Sequence, residues 1–286
     1  MARVRADRPS SDPTVGIACF SPTGITKKVC EAIAAGISAQ PPVLSDLVKV
    51  GESGKTNLDN ADLLVMGSPV YVSRLPLLAR ERISSALTDL KKKPLVAVSV
   101  YGDVALGIGL KQLVNLVAEK GFKVVGAGAF IGEHFFKRYR SAGWGEETKG
   151  RPDDADLQIA KEFGTAVRQK GLKGSDISSN QNIRSAKLSF MGRFSDENGL
   201  KRFLGPLKVD ASKCSNCQSC VEACPAGCLD GQTIQTLNSR PNNCNACTAC
   251  MKACPNAAIS QPLKMEWLLK KGAAPSKTRG TPIYYT

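Results

Sequence analysis

Apolar runs recur along the first half of the chain at spacings that alternate with amphipathic stretches. TVGIACF from Thr14, LLVMG from Leu63, PLVAVSVYG from Pro94 and KVVGAGAFIG from Lys123 contain few polar positions, and a shorter VLSDLV begins at Val43. A strand apolar on both of its alternating faces must be covered on both, which is the condition of a parallel sheet. Between these runs, Ile25 to Ala39, Leu77 to Leu90 and Gly109 to Lys120 carry apolar residues at helical spacing, and a further such stretch runs from Asp154 to Lys170. Five strands with covering helices predict an α/β doubly wound parallel sheet, whose ligands sit beyond the carboxyl ends of the strands.

The pattern then changes. KGSDISSNQN is polar and KLSFMGRF and LKRFLG are basic, which predicts a linker over residues 173–206 with room for a short helix between modules. The opening MARVRADRPSSDP reads as a flexible N-terminus over residues 1–13 without an apolar core for export, so a cytoplasmic location is expected. The final KGAAPSKTRGTPIYYT belongs to a loosely held tail, 263–286, whose end Ile283, Tyr284 and Tyr285 could pin.

Residues 207–262 hold the most specific signal. Of eleven cysteines, nine lie between Cys214 and Cys254, and CSNCQSCVEACP from Cys214 returns as CNACTACMKACP from Cys244. Each run reads C-x2-C-x2-C-x3-C-P. Three closely spaced thiolates on one tight loop can reach three corners of one cubane, leaving the fourth directed elsewhere. Zinc also uses C-x2-C pairs, but its structural sites take four ligands and seldom ask for a third x2 step. Disulfides would need an oxidising compartment for which nothing here argues.

The two runs resemble those of two-cluster bacterial-type ferredoxins, a small α+β fold. The resemblance implies one 4Fe-4S cluster on Cys214, Cys217, Cys220 and Cys254 and a second on Cys244, Cys247, Cys250 and Cys224. Cys228 matches Ala258 in the second run and is expected to be a small core residue, as are Cys19 and Cys30 upstream.

In the first module, SPTGIT (Ser21 to Thr26) leads from the first strand into a helix. Ser21, Thr23 and Thr26 hydroxyls, Gly24 and the backbone at Ile25 converge on one point, which suits a phosphate. The loop alone leaves open a plain helix-capping turn. GSPVY, with Ser68, Pro69, Val70 and Tyr71, and VYGD, with Val100, Tyr101, Gly102 and Asp103, follow the third and fourth strands and open on the same edge.

Together these loops resemble a flavodoxin, and GAFIGEHFF at Gly126 and GRPDDADL at Gly150 are similar to flavodoxin-ferredoxin fusion proteins of anaerobes. The resemblance implies FMN over residues 14–172, with these loop residues as its contacts and Tyr71 and Tyr101 stacking on the ring.

The formal charge of +14 falls to about +8 once two clusters and a flavin phosphate of about −2 each are added. A net basic chain favours redox partner proteins with acidic docking surfaces, with a second copy of the chain as a further candidate. GESGKT at Gly51 fails the P-loop spacing because Lys49 stands where Gly is needed. His134 reads as structural or solvent-facing.

The expected function is low-potential electron transfer through two 4Fe-4S clusters and FMN. One alternative is a flavoenzyme in which the clusters feed FMN to reduce an organic substrate beneath the loop after His134. The other, resting on the aromatic and basic residues of that loop, is a cluster protein that binds nucleic acid.

Overall fold

The computed structural model describes residues 12–48, 57–102, 106–134, 146–172, 174–188, 205–239, 241–262 and 280–286. Five parallel strands, β1 (Val15–Cys19), β2 (Val43–Asp46), β3 (Leu63–Pro69), β4 (Pro94–Tyr101) and β5 (Lys123–Ile131), stand in the order β2-β1-β3-β4-β5. The chain moves outward from β1 to β2 and then reverses to β3, which places the topological switch between β1 and β3. Four helices cover the sheet: α1 (Ile25–Ile37), α2 (Leu77–Thr88), α3 (Gly109–Glu119) and α4 (Asp154–Lys170).

Strand alternation divides the core in two. Ala18, Leu64, Met66, Leu95, Ala97 and Val124 pack beneath α2 and α3 with Ile83, Leu87, Leu113 and Val117. Val15, Ile17, Leu63, Val65, Val96 and Val98 face the other way, onto Val29, Ile33, Phe163 and Val167 of α1 and α4. Those two helices touch backbone to backbone: a Cβ on Gly36 would come 2.0 Å from the Lys161 carbonyl oxygen, and one on Gly164 would come 2.1 Å from that of Ile33.

GRPDDADL is explained by structural chemistry. Asp153 accepts from the Asp156 N–H at 3.0 Å and the Asp156 carboxylate accepts from the Asp153 N–H at 3.1 Å, a reciprocal cap on α4. The same Asp156 carboxylate pairs bidentately with Arg151, both residues 3% exposed, with Nε donating at 2.8 Å.

Beyond α4, the Ile177 N–H donates to the Val124 carbonyl at 2.8 Å, and the short helix α5 (Gln181–Arg184) lies against α3. A second small unit follows. It holds β6 (Lys208–Val209), α6 (Ser219–Glu222), α7 (Ala249–Ala253) and β7 (Ile259–Ser260), with β6 and β7 antiparallel.

The chain then returns to the first module. β8 (Ile283–Tyr285) pairs antiparallel with β5, Tyr284 stacks at 5.1 Å on Phe163, and Lys170 Nζ donates to the Thr286 carbonyl at 2.8 Å. The end of the tail is thus a sixth strand that covers the open edge of β5. Arg151 also donates to the Gly280 carbonyl at 3.2 Å. Described segments on both sides of the cysteine-rich unit, 174–188 before it and 280–286 after it, thus pack on the first module. Among the described residues no helix is long and apolar enough to cross a membrane.

Candidate functional site

Parallel strands deliver their following loops to a single edge. After β1, Gly24 takes a left-handed φ of 79° to start α1, and its N–H donates to the Ser21 carbonyl at 2.9 Å. Ser21 Oγ accepts from the Lys27 N–H at 3.0 Å, so it caps the helix while its own O–H stays available to donate. The first N–H groups of a helix have no carbonyl four residues back, and no acidic side chain stands in the first turn of α1. A Cβ on Gly24 would meet nothing within 4 Å, which leaves open room against these donors. The loop therefore fits an anion such as a flavin phosphate while also acting as a cap.

The other two loops interlock beside it. Val70 N–H donates to the Val100 carbonyl at 2.8 Å, and Ser68 is fully buried with its hydroxyl on the Pro69 carbonyl at 3.0 Å. Tyr71 and Arg74 exchange two N–H to carbonyl bonds of 3.0 Å across Val72 and Ser73, whose φ angles are 51° and 64°. Two consecutive left-handed residues, one of them β-branched, cost of order 1–3 kcal/mol each. The turn is held by Ser73, whose carbonyl accepts from Ile108 N–H at 2.9 Å, and by Gly107, where a Cβ would come 2.2 Å from the Ser73 side chain. Nothing in the apolar pattern signals this turn, because Val-Ser lacks the glycine or asparagine that usually marks one.

Gly132 N–H donates to the Tyr101 carbonyl at 2.9 Å and packs on Ile25, which draws the ends of β4 and β5 to the start of α1. Tyr71, Val100, Tyr101 and Gly102 thus share an edge with Ser21, Thr23 and Thr26; Asp103 lies outside the described residues. His134 packs directly on Gly102, a placement that its sequence position alone did not reveal. Cys19 and Cys30 are buried, and burial pushes the Cys19 thiol up to about 12 and that of Cys30 well above its ordinary value. The segments 51–56 and 135–145, with the P-loop look-alike and the aromatic-basic loop, also lie outside the described residues.

The two cysteine runs fold into matching loops. Asn216 and Gln218 in the first, and Ala246 and Thr248 in the second, all have positive φ between 52° and 63°. Asn216 and Ala246 stand directly before Cys217 and Cys247, and the repetition of a costly conformation at equivalent positions identifies it as built-in geometry. Two cavities result. Cys214, Cys217, Cys220 and Cys254 line the first, whereas Cys224, Cys228, Cys244, Cys247 and Cys250 line the second. The fourth cysteine of each run thus points across to the other cavity. The donor set of each is thiol sulfur, the chemistry an iron–sulfur cluster requires.

Surroundings differ more than ligands do. Cys217 is exposed and Cys214 half-buried, while Cys244, Cys247 and Cys250 are all buried. A hydrogen bond from Ser219, 3.4 Å away, lowers the Cys217 thiol, whereas burial raises that of Cys247 and pushes Cys250 up to about 12. Cys228 does more than fill the core. Its sulfur lies 3.4 Å from that of Cys224, and this bond lowers the Cys224 thiol while raising that of Cys228.

Among the described residues, Lys252 and Arg82 make contacts between the units that sequence reasoning did not identify. Lys252 Nζ, two residues after Cys250, donates to the Thr23 carbonyl in the first loop, with burial and the nearby Lys28 lowering its pKa. Arg82 of α2 donates at 2.8 Å to the carbonyl of Pro225, the residue after Cys224, while its other nitrogen holds the Leu47 and Val48 carbonyls at 3.0 and 2.9 Å. Pro225 adjoins Cys224 of the second cavity, while Lys252 lies two residues from Cys250 of the second cavity and two from Cys254 of the first.

Comparison with known families completes the picture. A flavodoxin domain model matches residues 17–107, and a 4Fe-4S dicluster domain model matches residues 213–259. The chain joins a flavodoxin domain to an iron–sulfur ferredoxin domain. This pairing makes it an iron–sulfur flavoprotein of electron transfer, with FMN and 4Fe-4S clusters as the implied cofactors and redox proteins as the implied partners.

Among solved structures, it is similar to a flavodoxin from the domain Archaea at 20% identity, covering 55% of this chain and 98% of that one with a TM-score of 0.38. The rubredoxin oxygen:oxidoreductase of Desulfovibrio gigas is 15% identical over 57% of this chain and 36% of its own, at 0.39. An FMN-bound flavodoxin mutant of Fusobacterium nucleatum is 21% identical over 40% and 69%, at 0.32. No curated protein matches the chain.

Proposed function

We infer that this flavodoxin-ferredoxin chain is a carrier with two 4Fe-4S clusters and one FMN, arranged as a relay from an exposed entry to the flavin. Cys214, Cys217, Cys220 and Cys254 hold the outer cluster, and Cys244, Cys247, Cys250 and Cys224 the inner one. The backbone and hydroxyls of Ser21 to Thr26 hold the flavin phosphate, and the loops at Ser68–Tyr71 and Val100–Asp103 flank the ring. When bound, clusters exchange one electron at a time and a flavin one or two, so the chain converts between single-electron and paired traffic.

One observation carries this order: Arg82 of the flavodoxin unit donates to the carbonyl of Pro225, the residue after the inner-cavity Cys224, while Lys252, midway in sequence between Cys250 and Cys254, reaches the flavin-phosphate loop. The exposed Cys217 side is left for the partner, which the charge of +14 suits to an acidic docking surface.

Anaerobic purification followed by iron, sulfide and flavin assay tests the reading. About eight iron, eight sulfide and one FMN per chain are expected. A stepwise titration with a low-potential reductant should then show cluster and flavin absorbance changing as a coupled series. A protein that neither retains nor regains FMN, or that takes up iron for only one cluster, overturns it.

A further inference from the structure

The two cysteine loops match in backbone but not in what surrounds the cavity. Asn245, 7% exposed, and Gln261, also 7% exposed, both line the second cavity. Asn245 Nδ2 and Gln261 Nε2 are buried and have no hydrogen-bond acceptor among the described residues. A buried amide with an unused N–H donor is destabilising, so two beside one cavity call for an acceptor that the described residues do not provide.

The first cavity has no such pair. Ser215 stands where the repeat places Asn245, and Gly231 where it places Gln261. Amides do line the first cavity, but Asn216 and Gln218 are exposed to water, and Asn256 is already satisfied, donating to the Lys213 carbonyl at 2.9 Å and to Ser215 Oγ at 3.3 Å. Backbone donors do not distinguish the cavities either. Cys228 N–H lies 3.5 Å from Cys224 Sγ, and its counterpart Ala258 N–H lies 3.3 Å from Cys254 Sγ.

We propose that Asn245 and Gln261 are potential-setting residues, whose side-chain amides donate hydrogen bonds to sulfur atoms of the cluster in the second cavity and raise its reduction potential above the value its buried setting would otherwise give. The inference rests on the two-cluster reading. Its physical basis is charge: a cluster gains one negative charge on reduction, and N–H donors at its sulfurs stabilise the more negative state where water does not reach. Both residues act on the cluster's electronics and are not ligands.

The test is a redox titration of the reconstituted holoprotein followed by EPR, comparing wild type with Asn245→Leu, Gln261→Met and the double variant, and with Ser215→Ala as control. Each single variant should lower the potential of one and the same cluster. The equilibrium constant for sharing an electron between the clusters should change by about tenfold, or about 59 mV for one electron. The other cluster and the Ser215→Ala variant should not move.

Direction separates this role from a structural one. A substitution that merely loosened the fold would admit water and shift the potential upward or lose iron. Unchanged or raised potentials with both clusters present overturn the proposal, whereas a wild type with iron for one cluster overturns the two-cluster reading first. For variants that do not assemble, pulsed EPR of wild-type protein labelled with nitrogen-15 only in side-chain amides decides. Nitrogen coupled to a single reduced cluster supports the proposal, and no coupling to either overturns it.

Discussion

The two cysteine loops share spacing, backbone and crossing ligand, yet one faces water and the other does not. Their left-handed residues fall at equivalent positions, and Gly227 and Ala257 after the fourth cysteines repeat at φ values of 56° and 48°. The difference lies in neighbours. The first loop presents Cys217 to solvent, while the second is closed by Leu207, Leu229 and Gln261 and borders both contacts with the flavodoxin domain. A repeated motif therefore determines what can be bound, and its asymmetric setting gives the two copies the different surroundings on which the proposed relay rests.

The strongest way to break the comparison is to remove a crossing ligand. Cys254→Ala lies in the second run but should abolish the cluster of the first cavity and leave that of the second, halving iron content with one EPR signal retained. Loss of the second signal instead would mean that each run serves its own cavity.

A smaller effect is expected from Asp156→Asn, which leaves the Arg151 guanidinium buried without its countercharge and removes half of the α4 cap. Breaking a buried pair from one side costs about 3–5 kcal/mol. Thermal unfolding followed by circular dichroism should drop accordingly, and hydrogen exchange should rise in 280–286, where Arg151 also holds Gly280.

The mildest change is Arg82→Ala, which deletes the bond to Pro225 and should weaken docking of the units by about 1 kcal/mol. Faster exchange at 222–228 with unchanged iron and flavin content would fit; altered iron binding would show that Arg82 supports the cluster itself.

Much of this was legible because it depends on local rules. Runs such as LLVMG can only be strands covered on both faces, and the four helical stretches are the covers they need. GRPDDADL was read only as a family likeness, and its physical meaning required seeing Asp156 serve a helix cap and Arg151 at once. Val72 and Ser73 were missed because residues there resist the left-handed region, and only the packing of Ser73 on Gly107 holds them in it. The tail was read as loose with an end that Ile283 to Tyr285 could pin. It pairs with β5 because an uncovered strand edge offers hydrogen bonds that no sequence window contains.

By itself the sequence determined the parallel sheet, the helices that cover it and the two thiol-rich loops, since periodicity and ligand spacing act over a few residues. Tertiary structure alone decided that Lys252 and Arg82 join the units, that the second loop is the buried one, and that Asn245 and Gln261 face its cavity without acceptors. Those outcomes depend on which surfaces meet after folding, and contacts between residues such as Thr23 and Lys252, 229 positions apart, leave no periodic trace along the chain.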